Sequence, residues 1–337
     1  MDAFLYEKAD NNRVICNLCH HRCVINTGKR GKCNVRENDA GILKSLVYGK
    51  LIARSVDPVE KKPLFHLSPG SLSYSVATVG CNFRCRFCQN SDIAQMPSDR
   101  GGLIMGDPAT PQEIVKDAIR KDCKSISYTY TEPTVYFEFA HDTSKIAKSE
   151  GIKNIFVTNG YMTPEAIALI SPYLDAANID LKAATDDFYR KYCGAKIDPV
   201  KDTLRQMKSL GIFIEITTLV ITGLNDSRKD LESIAGFIAD ELGKEVPWHV
   251  SRFHPTYKLT DRRPTPVDTL SMARNIGIEK GLHYVYTGNV PGDEGEHTFC
   301  PNCKKKIIDR FGYSIRAYRI ENGKCSFCKS PVQGVDL

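Results

Sequence analysis

Between residues 73 and 286 the chain repeats one pattern: a short run of consecutive apolar or β-branched residues, then a longer stretch whose apolar positions recur every three or four residues. The short runs predict strands at residues 73–79, 125–130, 154–158, 176–181, 213–221, 248–253 and 283–286. The longer stretches predict helices at residues 134–150, 164–169, 200–210, 227–242 and 266–280. A further, first helix opens at Thr110 and Pro111, a capping residue followed by a proline whose fixed φ suits the first turn, with Ile114, Val115, Ala118 and Ile119 on one face.

Strand, helix, strand at this rhythm implies an α/β fold with a parallel sheet and helical crossovers. Seven strands fit a partial (β/α)6-type TIM barrel better than a closed eight-stranded one, although a doubly wound sheet also satisfies the pattern. In either arrangement chemistry is expected at the carboxyl ends of the strands. The flanks differ from this body: a cysteine-rich head (residues 1–70) precedes residues 71–290, and a cysteine-rich tail (residues 291–337) follows.

Composition adds limits. With 42% hydrophobic and 26% charged residues over 337 positions, the chain is ordinary globular material rather than a disordered one. The opening MDAFLYEKADNNRV lacks a basic segment followed by an apolar run, and no stretch of eighteen apolar residues occurs, so the expectation is a soluble, cytoplasmic chain without a membrane span. The net charge of +6 is dispersed over 46 basic and 40 acidic residues, which argues against a dedicated nucleic-acid binder.

Cysteine is the informative residue. Of thirteen, eleven fall into three tight groups, while Cys123 and Cys193 stand alone. In a chain read as cytoplasmic, such groups favour metal sites over disulfides. The central group, in GCNFRCRFCQN, places Cys81, Cys85 and Cys88 directly after the first strand of the body. Three thiolates can hold three irons of a cubane and leave the fourth without a protein ligand, open to a small molecule that offers an amine and a carboxylate. Structural zinc, the plainer alternative, takes four ligands. In the tail, Cys300, Cys303, Cys325 and Cys328 form two CxxC knuckles, which point to a zinc ribbon, with rubredoxin-type iron as the lesser alternative. In the head, Cys16, Cys19, Cys23 and Cys33 imply a further metal site, with His20 and His21 interleaved as substitute ligands. Zinc is slightly favoured there over an auxiliary iron–sulfur cluster, since both are thiolate-held and sequence does not choose the metal.

The spacing of the central triad, with Phe87 just before its last cysteine, resembles the radical S-adenosylmethionine (SAM) superfamily. That resemblance implies a [4Fe-4S] cluster that cleaves SAM to methionine and a 5′-deoxyadenosyl radical. The segment ending the second strand, residues 128–134, resembles the superfamily's motif for the methionyl ammonium, which puts Thr131 and Glu132 at that contact; opening a helix is the plainer role for Glu132. Asn159 and the Asp180-Leu181-Lys182 segment resemble strand ends of pyruvate formate-lyase activating enzymes. By that match Asn159, Asp180 and Lys182 face SAM, with Lys182 on its carboxylate, the alternatives being turn residues and solvated charges. His254, after the sixth strand, reaches SAM or substrate by the same logic, weighed evenly against a structural role.

The three cysteine groups in this order resemble, over almost the whole chain, the radical SAM member of the AmmeMemoRadiSam system. The implied partners are Memo-like and AMMECR-like proteins and an electron donor such as flavodoxin or ferredoxin; no substrate is implied. A glycyl radical activase is the runner-up within the class and RNA modification a third option. A zinc-rich protein- or RNA-binding module without catalysis is the reading from another class.

Overall fold

The computed structural model describes residues 1–337. Its centre is one eight-stranded sheet: β1 (Ala53–Pro58), β2 (Leu72–Ala77), β3 (Ser125–Tyr128), β4 (Lys153–Thr158), β5 (Ala176–Asp180), β6 (Phe213–Val220), β7 (Trp248–Arg252) and β8 (Val285–Gly288), hydrogen-bonded in that order. Strands β2 to β8 run parallel, and β1 pairs antiparallel with β2. No pairing joins β8 to β1, so the barrel is incomplete. Crossover helices cover the parallel strands, most of whose residues are therefore buried, as all four of β3 are. Seven parallel strands match the seven apolar runs, whereas β1 comes from the head, so head and body share a sheet.

The crossovers are α1 (Pro111–Arg120), α2 (Phe137–Ser149), α3 (Pro164–Ile170), α4 (Asp198–Ser209), α5 (Arg228–Phe237) and α6 (Val267–Glu279). A reciprocal pair of bonds between Thr110 and Glu113 caps α1. Its inner face is Pro111, Ile114, Val115 and Ala118, while Ile119, expected on that face, points outward at 49% exposed. The helix expected at residues 134–150 begins instead as a 3-10 turn (Pro133–Tyr136), opened by Glu132, whose carboxylate accepts from the Thr134 backbone N–H. The last strand starts at Val285 rather than residue 283, because the ladder with β7 begins at Trp248 opposite Val285.

Head and tail close the molecule from two sides. Val14, Leu18 and Val35 of the head join the main core, while the tail packs Ile307 and Ile308 against Phe65, Tyr284 and Tyr286. Near the amino end of β6, Glu215 accepts from the His66 backbone N–H at 2.8 Å and meets His249 Nε2 at 2.6 Å. Burial pushes the Glu215 carboxyl up, but its bond to His249 and the charge of both histidines hold it below its ordinary value. No helix is long and apolar enough to cross a membrane.

Candidate active site

The loop after β2 carries the triad across the carboxyl ends of the strands. Two backbone bonds anchor it, from the Arg84 N–H to the Cys193 carbonyl at 2.8 Å and from the Arg86 N–H to the Tyr192 carbonyl at 2.9 Å. Between the cysteines, Phe83 and Phe87 turn inward, Phe83 against Tyr161 at 5.1 Å between ring centroids and Phe87 against Phe188 at 5.8 Å. Alternating cysteines with buried aromatic anchors leaves all three thiols lining one cavity of about 490 Å³, within the range of small-ligand and cofactor sites.

The same cavity receives the ends of β3, β4 and β5. Thr131 and Glu132, Asn159, and Asp180 and Lys182 all line it. Glu132 is 2% exposed. Its Oε1 accepts from the hydroxyls of Thr134 and Thr158, and its Oε2 from the Asn159 backbone N–H at 2.8 Å. Burial pushes this carboxyl up against the pull of those donors. Asn159 Nδ2 donates to Asn82 Oδ1 at 2.7 Å and approaches Cys81 Sγ at 3.7 Å. Lys182 Nζ pairs with Asp180 at 2.7 Å and lies 6.0 Å from the centre of the Phe87 ring. Burial pulls Lys182 down, but the Asp180 carboxylate beside it outweighs this and holds its pKa well above the ordinary value. The Thr131 hydroxyl is committed to the Thr78 carbonyl at 2.8 Å.

One expected residue is absent from this group. His254 is exposed and does not line the cavity. Its neighbour Phe253 is fully buried, with its N–H donated to Thr265 Oγ1, so the alternation of side chains turns position 254 outward.

Four residues without a sequence signal complete the surroundings. Asn82 backs Cys81 from within the triad loop. Lys61 and Lys62 enter from the head and Tyr313 from the tail. Lys62 is 1% exposed, bonded to Asp57 at 2.6 Å and set over the Tyr130 ring at 4.6 Å. Burial lowers its pKa to about 8 despite Asp57. Cys193, which sequence left alone, lies beside Cys85.

The triad suits a bound cationic centre. A hydrogen bond with Cys193, then burial, raises the Cys85 thiol; burial raises Cys81, and Cys88 to about 12. Such thiols ionise only with a partner that takes their charge, which thiolate-bound iron does. The triad's three sulfurs do not all lie within 4.8 Å of one another, as the tail sulfurs do.

A parallel, open barrel with a CxxxCxxC loop at its first strand end defines a class, and comparison with known proteins identifies it. The pattern of the Radical SAM superfamily matches residues 75–238, and the chain belongs to that superfamily. An uncharacterized protein of Methanocaldococcus jannaschii is 49% identical over 329 residues, 97% of each chain. The pyruvate formate-lyase-activating enzyme of Clostridium pasteurianum is 23% identical over 214 residues, 60% of this chain and 87% of that one. Among solved structures, a radical SAM methyltransferase from Sphaerobacter thermophilus has the same fold, with a TM-score of 0.51 at 15% identity, over 68% of this chain and 70% of that one. The chain is thus an enzyme of the radical SAM superfamily, homologous to glycyl radical activating enzymes.

Proposed function

We propose that the chain holds a [4Fe-4S] cluster on Cys81, Cys85 and Cys88 and uses it on SAM, with a hydrogen atom of a further substrate as the target. The observation that carries this is the convergence of the three thiols with Glu132, Asn159, Asp180 and Lys182 in one cavity at the strand ends. When bound there, the cluster supplies one electron for reductive cleavage of SAM to methionine and a 5′-deoxyadenosyl radical, the chemistry that membership of the superfamily implies.

The chain's own residues bind and orient. Glu132 Oε2 has one protein donor and spare acceptor capacity, so it takes the methionyl ammonium in a charge-assisted bond. Lys182, held charged beside Asp180, turns to the SAM carboxylate. Asn159 keeps Cys81 and Asn82 in place. Phe83 and Phe87 keep water from the cavity floor.

Incubating the reconstituted protein anaerobically with dithionite and SAM is expected to yield methionine and 5′-deoxyadenosine, and Cys85→Ala is expected to abolish both while the barrel stays folded. Unchanged turnover in that variant contradicts the assignment.

The order of the three cysteine groups supports membership of the AmmeMemoRadiSam system, with Memo-like and AMMECR-like proteins as partners and a flavodoxin or ferredoxin as donor. Thiol-rich metal sites of this kind suit the reducing cytoplasm. In the tail, sulfur pairs at 3.6 Å (Cys300 and Cys328) and 3.8 Å (Cys303 and Cys325) suit zinc, whose tetrahedral thiolates stand about 3.8 Å apart. The homology to activating enzymes favours, as a second reading, delivery of the radical to a glycine of a protein partner. A stable organic radical appearing on that partner separates the two.

A further inference from the structure

The four head cysteines line one cavity of their own, which they share with Arg36 and Asn82. Local backbone bonds gather them. The Cys16 N–H donates to the Cys23 carbonyl at 2.9 Å, and the Gly31 N–H to the Arg36 carbonyl at 3.0 Å, which folds the Cys33 loop back over the first three. A Cβ on Gly31 would lie 3.6 Å from Cys23 Sγ, so the two loops are in contact.

One observation chooses the occupant, and a second shows that the site accepts its charge. The first is spacing. The tail sulfurs all lie within 4.8 Å of one another, whereas no three head sulfurs do, and in this the head resembles the triad and not the tail. A tetrahedral zinc draws its thiolates to about 3.8 Å, while a cubane, with its irons at four separate corners, holds them wider. The second is Arg36, which is 1% exposed and lines the cavity. Its Nη2 is bonded to Glu138 at 2.5 and 2.6 Å, but Nε and Nη1 have no partner. Buried guanidinium N–H groups without acceptors are costly unless something anionic accepts from them, and a thiolate-held cluster presents an anionic surface of sulfurs.

We propose that Cys16, Cys19, Cys23 and Cys33 hold a second four-iron cluster, with Arg36 as its buried counter-charge and hydrogen-bond donor. The slight preference for zinc that sequence gives the head is thereby reversed. Every corner of this cluster carries a protein thiolate, so it has no open iron, and its chemistry is electron transfer. Its place suits that role. A Cβ on Gly80, the residue before Cys81, would lie 3.4 Å from the Cys33 carbonyl oxygen, and His21 Nε2 meets the Asn82 carbonyl at 2.8 Å, so the head cavity abuts the triad loop. One electron enters from a low-potential one-electron donor and one leaves toward the triad, with no net change in the relay.

The test is metal counting on full-length protein reconstituted anaerobically with iron, sulfide and zinc all in excess. Two cubanes and one tail site predict about eight irons and one zinc per chain. In Cys85→Ala/Cys88→Ala about four irons remain, with a reduced-cluster paramagnetic signal that SAM leaves unchanged. In Cys19→Ala/Cys23→Ala about four irons are lost and the SAM-sensitive signal is kept; where that variant does not fold, the triad variant decides alone. Two zincs with only about four irons in the unaltered protein, or an iron-free triad variant, overturns the proposal. About four irons in both the unaltered protein and the triad variant leaves the head cluster standing and refutes the triad assignment instead.

Discussion

At the residue scale, Glu132 joins folding to ligand binding. Four protein donors already point at its carboxylate, and burial still raises it above its ordinary value of 4.5. The folded chain thus holds this proton at higher pH than the unfolded chain does. Its contribution to stability is full below the unfolded value and is lost as pH rises through the folded one. Glu132→Gln removes that slope. It also removes the charge facing the ammonium, a bond worth ~1.5–3 kcal/mol, and so weakens SAM about tenfold to a hundredfold. Equilibrium dialysis of the reconstituted variant checks this, and unchanged affinity sinks the proposed contact. Residues of this kind were legible in the sequence because they stand at strand ends, where an apolar run gives way to polar side chains. Lys62, Asn82 and Arg36 were not. Their importance comes from burial and from contacts with segments far away in the chain, and nothing local marks a lysine or an arginine that tertiary structure will bury. His254 shows the converse, since a strand-end position alone does not say which way the side chain faces.

At the element scale, the triad loop depends on a close approach at Gly80. Its φ is +104°, and a Cβ there would stand 2.5 Å from Val35 Cγ1 of the head. Gly80→Ala is therefore expected to cost about 1–3 kcal/mol in strain alone. Thermal unfolding should show a lowered midpoint, and iron retention should fall as head and loop separate; a variant as stable as the parent contradicts the close packing. The strand and helix pattern predicted the parallel body because a 3.6-residue period and a short apolar run are local signals. It missed β1, whose sequence ARSVDP has too little apolar character to read as a sheet strand. Pairing with β2 made it one.

At the scale of the whole molecule, head and tail are built into the barrel. The tail reaches the site through Tyr313, and His66 ties to both barrel and tail, bonding Tyr286 Oη at 2.6 Å and the Gln333 carbonyl at 2.7 Å. With so small a core of its own, the tail should take much of its stability from the proposed zinc. Stripping that ion with a chelator is expected to lower the melting temperature and expose the tail to proteolysis while the barrel's secondary structure persists; an unchanged digestion pattern contradicts this.

Electron paramagnetic resonance of the reduced, reconstituted protein with and without SAM decides whether Cys81, Cys85 and Cys88 hold a SAM-binding cluster. A [4Fe-4S]⁺ signal that SAM perturbs, lost in Cys85→Ala/Cys88→Ala, is the predicted result. A reduced spectrum with no SAM-sensitive component, or a SAM-sensitive component that survives in that variant, contradicts it.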